Sequence, residues 1–374
     1  MRAVGNNGAE MVALLGRRDV PTDALEAYCT QLGQALAARS HALRIVRVPW
    51  DKRGWLSALY WLRRATGPDA GSRGRWILVQ YTALSWSRRG FPVGFLGVLW
   101  ALGRCRARCA VVFHDPEPYA GGRLIDRLRR GVQCWVMRTA YRWTARSILT
   151  VPVEKVSWLP LPPAKAVFIP VGSNILPPAG APGATAQRRQ TAGARTVVVF
   201  GITGGESGAR EVDDIAYVVR SAAQRTGRIR LVGVGRGTQE AWPAVEKALN
   251  GAGVELRVLG LLPPEKVAEV LAGADVLLFV RGHLSTGRGS AIAGIACGVP
   301  IVGYAGHGTA FPVSAAGVLC AAEHDREALG QALCRVLSEP EVWQDLRQLN
   351  LKAYEQHFSW DAIARRYTSV LAEA

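Results

Sequence analysis

The sequence predicts an α/β protein built as two doubly wound, Rossmann-like domains in tandem. Three observations predict it. The chain has 374 residues, enough for two domains. Short apolar runs alternate with amphipathic helical stretches along most of its length, and that alternation makes parallel sheets covered by helices. Between two such series lies a break at 177–194, where proline, glycine and small residues dominate and the chain reads as a linker.

The first series begins with Met11–Leu15 (MVALL), a strand, followed by the loop GRRDVPTDA and a helix to about Ser40. Leu25, Tyr28, Leu32 and Leu36 recur there at three- or four-residue spacing. Ala42–Val48 returns as a strand, Trp55–Arg64 is helical, and Trp76–Tyr81 is a third strand. Phe91–Gly103 is thirteen uncharged, mainly apolar residues flanked by arginines. It is too short to span a membrane and suits a buried or interfacial helix. Ala110–His114 is a strand ending in His114 and Asp115, and Arg123–Arg146 is strongly basic and helical, with Leu124, Leu128, Val132, Trp135 and Val136 along one side. Strand-like Ser147–Val151 and Ala166–Pro170 close the series.

After the break come strand Thr196–Gly201, helix Ala209–Arg225, strand Ile229–Val234, helix Gln239–Asn250, strand Val254–Gly260 and helix Pro264–Ala274. Asp275–Val280 (DVLLFV) is nearly continuous in apolar residues, as a strand buried on both faces must be. Residues 281–303 then read as a strand exit, a glycine-rich loop, a short helix and a new strand. Gly298 caps the helix and Pro300 stops it. Gly287, Gly289 and Ser290 sit where the helix begins, with Arg281 and Arg288 beside them. Unpaired N–H groups at a helix start, close approach over glycine and two arginines suit a phosphate or diphosphate. The same pattern also describes a small-residue helix packed on a sheet with arginines in solvent. A short strand at Gly317–Cys320 and helices over Asp325–Leu337 and Pro340–His357 follow. Phe358-Ser359-Trp360 opens a last helix with Trp360, Ile363, Tyr367 and Leu371 on one face. That stripe needs a partner, and packing on the first domain supplies one.

Charge is unevenly spread. Residues 1–180 hold 26 Lys and Arg against 10 Asp and Glu, and the rest of the chain holds 20 against 19. Nine of the 12 tryptophans precede residue 160. Arginine with tryptophan fits an anionic membrane surface. Nucleic acid is not expected as a partner, because no recognition motif accompanies the charge. The seven cysteines are scattered, with no metal-ligand spacing, and read as buried thiols in a reducing compartment. The absence of a spanning run or signal-like start leads to the expectation of a cytoplasmic protein, peripheral on the inner face of the cell membrane.

Two doubly wound domains, a linker and a helical tail resemble the GT-B glycosyltransferases, and among them the group-1 family of retaining nucleotide-sugar transferases. Ala291–Val302 (AIAGIACGVPIV) and Gly260–Val280 carry the resemblance most specifically, with Val171-Gly172-Ser173-Asn174 and Phe358-Ser359-Trp360 similar to the family's first-domain end and crossing helix. The resemblance implies domains at 1–176 and 195–357 facing each other across a cleft, with 358–374 crossing back to the first. It implies transfer of a sugar from a nucleotide-sugar donor on the second domain to a glycan or lipid-linked glycan on the first. Retention of configuration is expected, with no cofactor and no metal, because arginines and helix N-termini neutralise the leaving diphosphate. The alternative is a non-catalytic relative that binds a nucleotide sugar or glycan or serves as a subunit partner.

The family's pattern assigns candidate residues and also exposes departures. Its two glutamates, eight residues apart, fall at Ser285 and Ala293, and neither is acidic. Arg288-Gly289-Ser290 resembles an Arg/Lys-Gly-Ser variant of the loop. Candidate donor contacts are Gly204, Gly205 and Arg210 after the domain's first strand, and Arg281, His283, Ser285, Thr286, Gly287, Arg288, Gly289 and Ser290. Leu261, Leu262 and Glu265 are candidates for base and ribose. In the first domain, His114 and Asp115 are the candidate catalytic pair, and Arg17 and Arg18 the candidate acceptor loop.

Overall fold

A computed structural model describes residues 10–20, 23–65, 75–105, 107–178 and 193–373. The chain forms two compact units, Met1–Val171 with Trp360–Ala374, and Gly172–Ser359. The division falls inside the Val171–Asn174 turn. Most of the predicted linker, 179–192, lies outside the described residues.

The first unit contains β1 (Glu10–Leu15), α1 (Ala24–Ala37), β2 (Ala42–Arg47), α2 (Trp50–Arg53), α3 (Trp55–Ala65), β3 (Trp76–Tyr81), α4 (Gly94–Arg104), β4 (Arg108–Phe113), α5 (Leu124–Trp143), β5 (Arg146–Leu149) and β6 (Ala166–Phe168). Its sheet is ordered β2-β1-β3-β4-β5-β6, and every pairing is parallel. The inner strands β1, β3, β4 and β5 are apolar over most of their length because both faces are covered, whereas the edge strand β2 is largely exposed. Asp23 starts α1 by accepting the N–H groups of Leu25 and Glu26, each at 3.1 Å. The apolar run Phe91–Gly103 is a core helix: Phe95, Leu96, Val98, Leu99, Ala101 and Leu102 of α4 are buried. The long basic helix differs from expectation in its facing. Val136 is buried, but Leu124, Leu128 and Trp135 point outward, and the inner face is Asp126, Gln133, Met137, Ala140 and Tyr141 with Val136.

The second unit contains β7 (Arg195–Phe200), α6 (Gly205–Thr226), β8 (Ile229–Val234), α7 (Thr238–Leu249), β9 (Glu255–Gly260), α8 (Pro264–Ala272), β10 (Val276–His283), α9 (Gly289–Ala296), β11 (Ile301–Tyr304), β12 (Val318–Ala321), α10 (Arg326–Ser338) and α11 (Pro340–Ala353). Its sheet, β12-β11-β10-β7-β8-β9, is again parallel. Two boundaries shift in ways that matter. The strand expected to end at Val280 continues to His283, so Arg281 is held on β10. The helix expected from Ala209 begins at Gly205, so Gly204 is its N-cap.

The last helix, α12 (Trp360–Ala372), belongs to the first unit. Its Trp360, Ile363, Ala364, Tyr367 and Leu371 share a core with Tyr28, Leu32 and Leu36 of α1. The hydroxyls of Tyr28 and Tyr367 are hydrogen-bonded at 3.0 Å, and Trp76 Nε1 donates to the Leu371 carbonyl at 3.1 Å. The unpartnered stripe read from the sequence is therefore covered by α1 within its own unit.

Candidate functional site

In an open parallel sheet, ligands bind beyond the carboxyl ends of the strands, where the strand order reverses direction. In the second unit that point is between β7 and β10: the chain runs outward from β7 through β8 to β9, then returns to place β10 on β7's other side. The loops that follow these two strands meet there. Gly201, just past β7, has φ of +81°, and a Cβ at that position would lie 2.8 Å from an Arg281 guanidinium nitrogen. Only glycine fits both conditions.

Arg281 is half-buried, and its Nε is enclosed without a hydrogen-bond partner. Burial pulls its pKa below the usual arginine value. Glu211 opposes the shift, and the like charges of Arg288 and Arg236 add to it. Glu211 is itself buried on α6 and accepts the Thr203 N–H at 2.7 Å, which fixes the loop after β7. Arg288, the N-cap of α9, reaches back over Gly282, its Nη2 lying 3.5 Å from where a Cβ would stand. Arg236 follows β8, and its carbonyl accepts the Ile202 N–H at 3.0 Å. Three arginines thus share one crevice with the first turns of α6 and α9. Neither helix has a side-chain cap, so their leading N–H groups remain available to an anion. The other end of α9 is closed by Gly298, whose φ of +67° permits the Val299-to-Gly294 and Gly298-to-Ile295 backbone bonds.

Not every candidate joins this group. Gly204, Gly205, Gly287, Gly289 and Ser290 lie at the two helix starts. Ser285 and Thr286 are buried in the turn before α9, where the Ser285 carbonyl accepts the Arg288 N–H at 3.1 Å. His283 ends β10, and its ring occupies the space beside Gly306 and Gly308, beyond β11. Arg210 is exposed on α6 and is not among the charges acting on Arg281. Leu261, Leu262 and Glu265 stand at the carboxyl end of β9, two strands or about 10 Å from β7. Leu261 and Glu265 are exposed, and Leu262 packs partly into the core.

In the first unit, His114 follows β4 and is half-buried. Its Nε2 lies 2.8 Å from Gln80 Oε1, and its ring meets Tyr28 edge-on at 4.8 Å. Burial lowers its pKa to about 4. Asp115 is exposed and acts electrostatically on the buried Tyr81 hydroxyl. The β1 and β3 loops meet at this sheet's own reversal point, where the Arg17 N–H donates to the Ser85 carbonyl at 2.8 Å. Arg17 Nε is buried without a partner. Arg18 instead forms an ion pair with Glu26 at 2.6 Å.

Known structures with this architecture cover nearly the whole chain. HepE of Anabaena in complex with UDP and glucose is 13% identical, matches 98% of this chain and 100% of its own, and superposes with a TM-score of 0.67. Sucrose-phosphate synthase from Thermosynechococcus elongatus is 20% identical over 98% of this chain and 100% of its own, at 0.66. WaaG, a glycosyltransferase involved in lipopolysaccharide biosynthesis, is 14% identical over 97% of this chain and 100% of its own, at 0.61. The fold is GT-B. No protein-family model matches the sequence, and no curated protein does.

Within this GT-B chain the place of the second expected glutamate, Ala293, is fully buried in an apolar core with Ile292, Ile295 and Leu277. A carboxylate there would be cut off from water among apolar side chains. Three residues that the sequence reading passed over belong to the sites. Glu211 falls in the apolar stripe of α6 beside Val212 and Ile215, and an acidic residue at such a position signals a buried partner. Gln80 gives the same signal in β3, a strand otherwise of apolar and aromatic residues. Arg236 carries no such signal, since an exposed arginine after a strand is ordinary.

Proposed function

We propose that the chain is a glycosyltransferase that moves a sugar from a nucleotide sugar to a glycan or lipid-linked glycan. The observation that carries the reading is the Arg281 crevice: a partly desolvated guanidinium with an unpaired Nε, pressed by Arg236 and Arg288, between two uncapped helix starts. An oxyanion relieves that like-charge crowding and satisfies the unpaired donor. A diphosphate fits it best, because the two helix starts and three arginines offer more donors than one phosphate can use.

In this reading the diphosphate lies across the β7–β10 reversal point and the nucleoside extends toward Leu261, Leu262 and Glu265. The same arginines stabilise the charge that develops on the leaving diphosphate, so transfer proceeds without a metal. The acceptor is held by the first unit, where His114 presents a neutral imidazole to it. Configuration is retained, with the leaving phosphate taking the acceptor's proton. The protein works as a peripheral protein on the cytoplasmic face of a membrane. The UDP and glucose bound by HepE, a protein of like fold, accord with a nucleotide-sugar donor.

A second reading has its own observation. Ser285 and Ala293 leave the donor's sugar and ribose without the two carboxylates of the group-1 pattern, which favours a chain that binds a nucleotide sugar without turning it over. Thermal-shift measurements with UDP, GDP and ADP, followed by turnover assays of the corresponding nucleotide sugars, separate the two. Stabilisation with turnover supports transfer. Stabilisation without turnover on a broad acceptor panel supports the binding protein. No response to any nucleoside diphosphate removes both.

A further inference from the structure

The outward face of α5 is built for a lipid surface. Leu124, Leu128 and Trp135 recur at helical spacing on that face and are 82%, 59% and 52% exposed. The inner face of α5 already packs into the first unit's core through Val136, Met137, Ala140 and Tyr141, and a second apolar stripe is left outside. Exposed Arg127, Arg130 and Arg138 border the stripe along one side, and Arg142 stands at its C-terminal end. Between Tyr119 and Trp143 the only acidic residue is Asp126, which is buried and bound to Arg129 at 2.8 Å. An exposed apolar stripe bordered by arginine, on a helix whose one acid, Asp126, is buried, is complementary to anionic headgroups over acyl chains. Exposed Asp115 and Glu117 are confined to the preceding loop.

The N-terminal half of α5 is joined to the carboxyl-edge loops. Arg129 donates to the Arg89 carbonyl at 3.0 Å, and Gln133 bonds both the Gly90 carbonyl and the Tyr119 N–H. Those loops add exposed Leu84, Val93 and Tyr119, together with Arg88 and Arg89. All strands are parallel, so α5 starts at the same edge of the sheet that carries His114.

We propose that the α5 stripe seats the protein on an anionic lipid bilayer, N-terminal half deepest, so that the His114 edge meets lipid-linked acceptors along the membrane plane. Of the Phe91–Gly103 run, which the sequence reads as a buried or interfacial helix, Phe95, Leu96, Val98, Leu99, Ala101 and Leu102 lie in the core, while Val93 and Trp100 are exposed. The seating stands on the surface alone, and its link to the acceptor rests on the transfer reading.

The test is flotation of the full chain with vesicles of phosphatidylcholine alone and of phosphatidylcholine mixed with phosphatidylglycerol, with no donor or acceptor present. The expected result is binding to the mixed vesicles only, weakened by salt. Leu124→Asp with Leu128→Asp should lower partition on the order of tenfold or more, and so should Arg127→Glu with Arg130→Glu. All four sites are exposed, and an unchanged melting temperature certifies the fold. Equal partition to both vesicle types, variants that float as well as wild type, or a dimer in sedimentation that the leucine variants dissociate would each overturn the proposal. A protein that floats as expected but transfers no sugar leaves the seating intact and removes only the transfer reading.

Discussion

Nε2 of His114 lies 2.8 Å from Oε1 of Gln80, and the same glutamine's Nε2 donates to the Leu78 carbonyl at 3.1 Å. The amide is therefore oriented with its oxygen toward the ring, and the hydrogen-bond network assigns the imidazole proton to Nε2. Nδ1 then carries the lone pair. Gln80 positions His114 as an acceptor of hydrogen bonds. Gln80→Leu leaves a buried N–H unpaired and should cost about 1–3 kcal/mol of stability. Gln80→Glu places a carboxylate beside the ring and should move its pKa upward from about 4, read by NMR of the imidazole protons.

The depressed pKa of His114 predicts a pH dependence of stability. The folded imidazole, at about 4, binds its proton less readily than the unfolded one, at 6.5. Between those values the unfolded state takes up more protons, so this contribution is fully present above pH 6.5 and lost as pH falls toward 4. For a half-buried ring the loss should be about 2 kcal/mol. Denaturant melts from pH 7 to 4 should show it, and His114→Asn should flatten that part of the curve.

The Tyr28–Tyr367 hydroxyl pair fastens α12 to α1. Tyr367→Phe leaves the Tyr28 hydroxyl buried alone and should destabilise the protein by about 1–3 kcal/mol. The double change to phenylalanine should cost less than the single one, because no orphaned hydroxyl remains. A double-mutant cycle on melting curves measures the difference.

Arg281→Ala should weaken nucleoside-diphosphate binding by about a hundredfold or more, measured by titration calorimetry. Arg281→Lys should recover little of it, since a lysine cannot fork into the space beside Gly201. Arg210→Ala, outside the arginine group, should stay within about 0.5 kcal/mol of wild type.

Ala293→Glu restores the residue of the group-1 pattern but buries a carboxylate among Ile292, Ile295 and Leu277. It should destabilise the protein by at least about 3 kcal/mol and restore no activity. A variant that melts like wild type and gains turnover would show that this helix turns its face toward the donor.

The sequence by itself determined the two parallel-sheet units, their order of elements and the loop and helix start that follow β10. Continuous apolar strands, the Gly298–Pro300 stop and glycines beside Arg281 are local consequences of residue type, legible without a fold. Tertiary structure decided which faces those elements present. The α4 run and the α5 stripe are both apolar in sequence, yet one is buried and the other exposed, because a helix with two apolar faces can bury only one against a single sheet. The same holds for the polar partners. Glu211, Arg236 and Gln80 come from other strands and helices than the residues they serve, so their roles arise only when the sheet order brings them together.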